Sequence, residues 1–368
     1  MELHLVGGFL GSGKSTAILH AARLLSEQGQ RVGIITNEQG KHLVDTGLLQ
    51  SENLPALEVT GGCFCCHLDD FSQRLEEITN RFDPHVIFAE SVGSCTDLVA
   101  TVIKPLLEWQ TTAAMPSSLS VFADSRLLLR YLEGQELPFS EGIIYIFEKQ
   151  IEETNILVIN KIDLLTQEQR QRVVSLAEDR FPHKTVRSQN SLDSLQVQDW
   201  LALIRSSANH LPTTSLDLDY GRYAGGEGRF FWLDRTLRIC LNEKSQTDHL
   251  KKFLQHLANN LFGSELRVAH LKCLLNDESQ TIKINLTSMD SPAAEWASQL
   301  ERLDTLKGTR IHLLINIMLE GNQQLAEQML EDDIDRFLVQ LGLNVETIST
   351  FSRVPGYPKP TIRISNNN

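Results

Sequence analysis

The first residues whose types and spacing indicate chemistry lie at positions 8–16. They read Gly-Phe-Leu-Gly-Ser-Gly-Lys-Ser-Thr and match the phosphate-loop pattern G-x-x-x-x-G-K-S/T, between an apolar run and a helical pattern. Such a loop turns its backbone N–H groups toward a triphosphate, and glycine tolerates that backbone most readily. We expect Lys14 to neutralise the β- and γ-phosphates and the Ser15 hydroxyl to bind Mg²⁺. The predicted nucleotide-binding residues of the loop are Gly8, Gly11, Ser12, Gly13, Lys14, Ser15 and Thr16.

A second pattern, Asn-Lys-Ile-Asp at residues 160–163, indicates which base the nucleotide carries. The carboxylate of Asp163 can accept hydrogen bonds from both N1–H and the N2 amino group of guanine, whereas adenine offers no such pair of donors there. We expect the Asn160 amide to contact N7 and the aliphatic part of Lys161 to lie over the purine ring. GTP is therefore the predicted nucleotide.

A third segment, residues 86–93, places a carboxylate directly after four apolar residues. Open α/β sheets bind ligands outside the carboxyl ends of their strands, and Glu90 is predicted to lie at such an end. We expect Glu90 to hold Mg²⁺ through water and Gly93 to let a switch segment approach the γ-phosphate. The alternative interpretation is a strand that ends in a solvated glutamate.

Residues 61–67 read Gly-Gly-Cys-Phe-Cys-Cys-His and bring three of the six cysteines of the chain together. Thiolates bind Zn²⁺ and similar ions, and Cys-x-Cys spacing can put two sulfurs on one ion. Because no second C-x-x-C pair follows, we predict a partly open site that holds a metal transiently on Cys63, Cys65 and Cys66. His67 is a candidate nitrogen ligand. The alternative is that the cysteines are small buried side chains packing a tight loop.

The order of these motifs resembles that of the CobW-like GTPases, relatives of the UreG and HypB metal-insertion GTPases. The resemblance extends over about residues 1–205, and residues 229–345 resemble the smaller C-terminal domain of that family more loosely. The segments that carry the resemblance are GGFLGSGKST at 7–16, Asn-Glu-Gln-Gly at 37–40 with Asp45, GGCFCC at 61–66, Glu90-x-x-Gly93, and NKID at 160–163.

The resemblance implies an enzyme that hydrolyses GTP with Mg²⁺ and delivers a transition metal, commonly Zn²⁺ or Co²⁺, to a client protein. It also implies that GTP-bound switch segments shape the metal site around the cysteines. By position, Glu38 and Asp45 would lie in the first switch, near Mg²⁺ or the attacking water. Whether Glu38, His42 or His67 completes the metal site stays open. The predicted catalytic residues are Lys14, Asp45 and Glu90.

Two other functions stay open at this point. One is a GTPase chaperone of a cofactor-dependent enzyme, for instance a corrinoid protein, that transfers no metal. The other is a purely regulatory GTP-binding module. Replacing Cys65 and Cys66 with serine would abolish client activation by a metal carrier and leave it intact for a chaperone that carries no metal.

The composition of the chain argues against some classes of partner. Its 368 residues include 34 Lys and Arg against 47 Asp and Glu, a formal charge of −13 that repels nucleic acid. No apolar run approaches the roughly 18–20 residues that cross a bilayer. Clustered cysteines suit a reducing compartment. We therefore expect a cytoplasmic protein without nucleic-acid or membrane partners, and leave open whether it forms a homo-oligomer.

Short apolar runs alternate with amphipathic stretches over residues 2–205, which predicts an α/β fold of the P-loop NTPase kind, with a mostly parallel sheet and helices on both faces. The predicted strands are 3–7, 31–37, 56–61, 86–90, 119–124 and 156–160. The predicted helices are 14–27, 68–81, 97–108, 167–180 and 192–204.

The alternation stops at residues 206–228, where Ser, Thr, Pro and Gly predominate, and we interpret this segment as an interdomain linker. Beyond it, the order β-α-β-β-α-β-α predicts a smaller α+β domain, ferredoxin-like, over residues 229–345. The predicted division is thus a GTPase domain at 1–205, the linker, the C-terminal domain, and a tail at 346–368 whose last residues are expected to be frayed.

Overall fold

The computed structural model describes residues 1–37, 54–59, 63–109, 115–206, 211–241, 247–338 and 340–366. The chain divides into two units. Among the described residues, the first unit holds those up to 227 together with 357–366, and the second holds those from 228 to 356. Each unit is built around one sheet.

The sheet of the first unit is parallel, with β1 at its centre. Its described strands are β1 (Glu2–Gly8), β2 (Val32–Thr36), β3 (Ala56–Glu58), β4 (Val86–Glu90), β5 (Met115–Asp124), β6 (Ile156–Asn160) and β7 (Thr185–Gln189). They pair in the order β3-β2-β4-β1-β5-β6-β7. The strand order reverses beside β1, and open α/β sheets bind ligands at the carboxyl ends of the strands next to such a reversal.

The described α-helices of this unit are α1 (Lys14–Glu27), α2 (Leu68–Phe82), α3 (Lys104–Trp109), α4 (Ser125–Leu132), α5 (Glu141–Glu153), α6 (Gln167–Arg180), α7 (Ser194–Ser206) and α8 (Tyr220–Glu227). In α1, the buried residues Ala17, Ala21 and Leu25 recur every fourth position and form the face that packs on the sheet. The chain leaves α1 through Gly29, whose φ of 77° is a backbone that glycine adopts without strain.

The fold class predicted from the sequence is confirmed. The strands 86–90 and 156–160 and the helices 14–27 and 167–180 have the predicted bounds. β7, α4 and α5 were missed. β7 reads Thr-Val-Arg-Ser-Gln and lies at a sheet edge, so it lacks the continuous apolar run of a strand buried on both faces. The predicted helix at 97–108 begins instead with a π-helical turn at Val99–Ile103 that leads into α3.

Part of the predicted linker is a helix that packs within the first unit. α8 lies against α5, and a Cβ on Gly226 would stand 2.2 Å from the backbone oxygen of Gly142. The run Gly225-Gly226, which suggested a flexible linker, therefore permits a close helix crossing. Tyr223 is buried in the same contact, with Tyr145 and Ile146 of α5.

The end of the chain is also part of the first unit. The N–H groups of Thr361 and Ile364 donate to the backbone oxygens of Cys65 and Ala100, at 3.0 and 2.9 Å. The guanidinium of Arg363 binds the carboxylate of buried Asp97 at 2.7 Å. The expectation of a frayed end is therefore wrong for residues up to 366, because these contacts hold the backbone.

The second unit contains a five-stranded antiparallel sheet, in the order β10-β9-β11-β8-β12. Its strands are β8 (Phe230–Cys240), β9 (Arg267–Asn276), β10 (Thr281–Thr287), β11 (Arg310–Glu320) and β12 (Asn344–Arg353). The described α-helices are α9 (Thr247–Gly263), α10 (Glu295–Glu301) and α11 (Gln323–Asp332). Apolar residues of the sheet and helices, among them Leu237, Leu257 and Trp296, form one core cluster.

The predicted α+β class of this unit is confirmed, but its strand order differs from the ferredoxin-like one. In a four-stranded ferredoxin-like sheet the first and third strands are central, whereas here β9, β11 and β8 are interior and β10 and β12 are the edges. In both arrangements, one other strand lies between the two strands of each β-α-β unit. The hydrophobic pattern of the sequence therefore does not distinguish the two strand orders. β12, mostly assigned to the predicted tail, is an edge strand whose side chains are all exposed or partly exposed. No helix among the described residues is long and apolar enough to cross a membrane.

Candidate functional site

The loop between β1 and α1 depends on its glycines. Gly8, Gly11 and Gly13 have φ values of 129°, 73° and 91°, which side-chain-bearing residues rarely adopt. A Cβ on Gly8 would stand 2.2 Å from the backbone oxygen of Phe122, and one on Gly13 would stand 2.3 Å from the side-chain nitrogen of Asn160. The loop therefore has both the backbone and the close contacts that the phosphate-loop motif predicts.

Lys14 lies at the start of α1 and reaches back across the loop. Its Nζ donates to the backbone oxygens of Gly8 and Phe9, at 2.8 and 3.3 Å, and the residue is buried. Since the amino end of a helix also attracts anions, the ammonium of Lys14 and the start of α1 both favour an anion at this loop.

Ser15 and Glu90 meet at the carboxyl end of β4. The Ser15 hydroxyl donates to the carboxylate of Glu90 at 2.8 Å, and Glu90 is only 9% exposed. A hydroxyl and a carboxylate are the oxygen ligands that Mg²⁺ takes beside substrate phosphates. The two residues therefore fit a magnesium site.

Asn160 connects the phosphate loop to the loop after β7. Its Nδ2 donates to the backbone oxygen of Ser12 at 2.7 Å, and its Oδ1 accepts from both the N–H and the hydroxyl of Ser191, at 3.2 and 2.7 Å. Contact of Asn160 with N7 of guanine stays a prediction. Ser191 was missed because β7, the strand before it, was missed.

Lys161 and Asp163 follow Asn160 directly after the carboxyl end of β6. The Asp163 side chain is exposed. The Lys161 ammonium lies 3.0 Å from the carboxylate of Asp124, a residue that the sequence analysis did not single out. Burial alone would raise the pKa of Asp124, but the charges of Lys161 and Arg126 outweigh it and hold that pKa at about 2. Asp124 therefore stays ionised and fixes the lysine.

The cysteine cluster lies in a tight turn between β3 and α2. The N–H groups of Cys66 and His67 both donate to the backbone oxygen of Cys63 at 3.0 Å. The ring of Phe64 stacks on Phe71 of α2, with 4.3 Å between the centroids. The sulfurs of Cys63, Cys65 and Cys66 all lie within 4.8 Å of one another, as the motif predicted.

The side chain of Asn37 ties this turn to the end of β2. Its Oδ1 accepts from the N–H of Phe64 at 3.0 Å, and its Nδ2 donates to the backbone oxygen of Val59 at 3.1 Å. Asn37 is buried and is the last described residue before the predicted first switch. The switch residues Glu38, His42 and Asp45 lie outside the described residues.

A fourth thiol, Cys95, reaches the cluster from the segment after β4. Its sulfur lies 3.5 Å from that of Cys65, and both side chains are buried. Cys95 lies outside the cysteine motif, 29 positions after Cys66, so its proximity to the cluster comes from the fold. Hydrogen bonds from Cys63 and then Cys65 lower the pKa of Cys95 to about 7, while the bond with Cys63 raises the pKa of Cys66 to about 11.

Two side chains of α5 hold the segment that carries Cys95. Gln150 donates to the backbone oxygens of Gly93 and Cys95, at 2.9 and 2.8 Å. Glu153 accepts from the N–H of Val99 at 2.7 Å, and burial raises its pKa to about 8. The position of Cys95 therefore depends on hydrogen bonds between this segment and a neighbouring helix.

A parallel sheet with a glycine-rich loop after its central strand, a buried lysine and a Ser–Glu pair define a P-loop nucleotide-binding domain. Residues 2–187 match the protein family described as CobW/HypB/UreG, nucleotide-binding domain. The chain belongs to this family, and the resemblance seen in the sequence is confirmed.

Among individual relatives, the chain is 31% identical over 181 residues to the zinc chaperone CobW of Sinorhizobium sp., covering 44% of this chain and 51% of the relative. It is 29% identical over 178 residues to the zinc chaperone YeiR of Escherichia coli K12, covering 46% and 48%. The chain therefore spans about half the length of these curated relatives. Among solved structures, nickel-bound HypB of Helicobacter pylori covers 58% of this chain and 91% of its own, with a TM-score of 0.42 and 13% identity.

Proposed function

We propose that the protein binds and hydrolyses GTP and delivers a transition metal, Zn²⁺ in first place, to a client metalloprotein. The observation that carries the proposal is the pair of hydrogen bonds made by Asn37, which join the segment before the predicted first switch to the turn of cysteines. A change of the switch on hydrolysis would therefore reach the thiols directly.

The nucleotide half of the proposal rests on the phosphate loop. When GTP binds, the ammonium of Lys14 leaves the backbone oxygens of Gly8 and Phe9 and binds phosphate oxygens instead. The carboxylate of Asp163 accepts hydrogen bonds from N1–H and the N2 amino group of guanine. Ser15 and Glu90 would hold Mg²⁺, and the charge that it would supply there would neutralise charge on the phosphates during transfer. Asp45, at the predicted switch, stays the candidate for orienting the attacking water. These assignments predict hydrolysis that requires Mg²⁺.

The cargo half rests on the thiols. Two sulfurs bound to one tetrahedral zinc at about 2.3 Å stand roughly 3.8 Å apart. The sulfurs of Cys65 and Cys66 are 3.9 Å apart, close to that value, whereas those of Cys63 and Cys65 are 2.6 Å apart and must separate when an ion binds. The curated relatives named zinc chaperones favour Zn²⁺, and Co²⁺ has the same ligand preference in such a site.

The setting follows from the same chemistry. All six cysteines are free thiols, and a thiol site that loads and unloads an ion needs a reducing compartment, so we place the protein in the cytoplasm. The client is a metalloprotein that receives the ion when GTP is hydrolysed. We assign the GTPase function to the first unit and leave client docking to the second.

The test is a zinc titration against a chromophoric chelator, with Mg²⁺ and either GDP or a non-hydrolysable GTP analogue. We expect zinc affinity to differ at least about tenfold between the two nucleotides, and the affinity for the analogue to change by the same factor when zinc is added. Asn37→Ala should still bind zinc and the GTP analogue, but its zinc affinity should differ much less between the two nucleotides. Asn276→Ala, in the second unit, is the matched control. Equal zinc affinities with both nucleotides would overturn the proposal.

A further inference from the structure

The cysteine cluster has a fourth sulfur that its motif does not include. The sulfur of Cys65 lies 3.5 Å from that of Cys95 and 3.9 Å from that of Cys66. Both distances are close to the roughly 3.8 Å that separates two sulfurs on one tetrahedral zinc. Cys65 is therefore the centre of a group in which Cys95 has the same spacing as a residue of the motif.

The remaining polar side chains near the turn do not complete the group. The ring of His67 is directed toward its own helix, with Nδ1 3.4 Å from the carboxylate of Asp70. Among the described residues, no carboxylate, imidazole or further thiol lies within 4.8 Å of all three motif sulfurs. Cys95 contacts the cluster through Cys65, so the group must contract around an ion for Cys95 to become its fourth ligand.

Cys95 lies only five residues after Glu90, on one continuous segment. At the start of this segment, the carboxylate of Glu90 accepts a hydrogen bond from the hydroxyl of Ser15 in the phosphate loop. At its end, the sulfur of Cys95 contacts the sulfur of Cys65. A Cβ on Gly93, between them, would stand 2.6 Å from the side chain of Leu10, so the segment also packs tightly on the phosphate loop. Movement at Glu90 would therefore displace the sulfur of Cys95.

We propose that Cys95 is the fourth sulfur ligand of the cargo metal and that the segment from Glu90 to Cys95 transmits the state of the nucleotide to the metal. This inference rests on the proposed function. Each ligand thiol loses its proton to solvent as the ion binds. Loss of Cys95 from the ion would leave three sulfur ligands and an open fourth coordination position. A ligand from the client can bind the ion at such an open position.

The four thiols differ in burial, and this difference assigns them different roles in metal exchange. Cys63, Cys65 and Cys95 are each no more than 4% exposed, whereas Cys66 is half-buried. Solvent and an incoming client ligand therefore reach Cys66 before the other three. Cys66 is the exchange ligand, and Cys95 is the ligand whose position follows the nucleotide.

The experiment measures sulfur ligands directly, with Co²⁺ as a spectroscopic probe and Zn²⁺ for X-ray absorption, on the full chain with the GTP analogue and Mg²⁺. We expect four sulfur ligands in the wild type and three in Cys95→Ser, with loss of about a quarter of the thiolate-to-cobalt charge-transfer absorbance. Zinc affinity should fall by at least the roughly 10- to 100-fold caused by removing an outer-shell group. Cys240→Ser, in the second unit, should keep the full absorbance and affinity.

A second arm tests the coupling. The ratio of zinc affinities with the GTP analogue and with GDP should fall toward one in Cys95→Ser and persist in Cys66→Ser, although both variants bind zinc more weakly. Cys95→Ala, with GTP binding and thermal unfolding measured alongside, separates ligand loss from misfolding.

The possible failures are distinguishable. If the wild type shows no cysteine-bound cobalt, the proposed function itself fails. If Cys65→Ser loses metal while Cys95→Ser keeps four ligands, wild-type affinity and the wild-type nucleotide ratio, the cargo site stands and the role of Cys95 is overturned.

Discussion

The phosphate loop and the cysteine cluster lie after strands of the same parallel sheet, but they are built differently. The phosphate loop is one run, residues 8–16, shaped by its own glycines and by the strand and helix on either side. The cluster takes sulfurs from residues 63–66 and from Cys95, and its turn is held by the side chain of Asn37 and by Thr361 near the end of the chain.

This difference indicates how each site responds to change elsewhere. A site built from one segment keeps its shape as long as that segment folds. A site assembled from four segments changes when any of them moves, which suits a metal that must be held in one state and released in another. Substitutions in the loop should therefore weaken GTP binding and leave nucleotide-free metal binding unchanged, whereas substitutions in any of the four segments of the cluster should change metal binding.

The largest expected effect comes from Gly13→Ala. The new Cβ would stand 2.3 Å from the Asn160 side chain, at a φ of 91° that alanine rarely adopts. Backbone strain of about 1–3 kcal/mol and the clash together should weaken GTP binding by more than about 1,000-fold, or roughly 4 kcal/mol. Calorimetric titration with the GTP analogue measures it, and cobalt binding without nucleotide should be unchanged.

Gly29→Ala is the matched control for that substitution. Gly29 also has a positive φ, 77°, but a Cβ there would meet nothing within 4 Å. It should lower stability by about 1 kcal/mol and leave GTP affinity within about twofold. If both variants lost GTP equally, general destabilisation rather than the shape of the loop would be the cause.

The second effect concerns Glu153, which supports the segment of Cys95. Its folded pKa of about 8 lies above the ordinary value of 4.5, so the folded chain keeps a proton that the unfolded chain loses. The stability from this group is complete below pH 4.5 and is lost as pH rises to about 8. Between about pH 5.5 and 8, the loss should be on the order of 3 kcal/mol.

Glu153→Gln should remove that pH dependence, since an amide keeps the hydrogen bond from Val99 without titrating. The measurement is urea unfolding of both metal-free proteins across this range. Glu148→Gln, on the same helix, is the control and should follow the wild type. Parallel pH curves for Glu153→Gln and the wild type would mean that the buried carboxyl is not protonated when folded.

The same contrast explains what the sequence could and could not predict. The phosphate loop, Glu90 and the three motif cysteines could be identified because each lies in a short pattern with known spacing. Cys95 and Ser191 could not, because they reach their sites through strand pairing and helix packing that no local pattern encodes. Ser191 additionally follows β7, an edge strand without an apolar run.

In the fold, glycine-rich and terminal segments misled the interpretation for the same reason. Gly225 and Gly226 have the composition of a linker, yet Gly226 serves a close contact with Gly142 that only the folded chain brings together. The polar end of the chain has no buried pattern of its own, but Arg363 pairs with the buried carboxylate of Asp97, more than 260 residues earlier in the chain.

The third-largest effect is expected at Ser191, where the phosphate loop meets Asn160 and the predicted guanine site. Ser191→Ala removes the hydroxyl that donates to Asn160 at 2.7 Å and leaves the N–H bond of residue 191 in place. A buried acceptor that loses one of two donors should cost about 1.4 kcal/mol, or tenfold in GTP affinity. Ser206→Ala, at the exposed end of α7, should change GTP affinity less than twofold. An unchanged affinity in Ser191→Ala would show that the backbone groups of Ser12 and residue 191 position Asn160 without the hydroxyl.

The smallest effect is expected at Thr361, on the metal side. Thr361→Val removes the hydroxyl bond to the backbone oxygen of Cys66, 3.1 Å long and exposed, but keeps the N–H bond to Cys65. The loss of about 0.5–1 kcal/mol from the turn should speed zinc release to a chelator about two- to fivefold, with GTP affinity unchanged. Thr350→Val, on exposed β12, is the control. A release rate equal to the wild type would mean that the hydroxyl bond of Thr361 does not stabilise the turn, and that the end of the chain acts on the cluster only through its backbone.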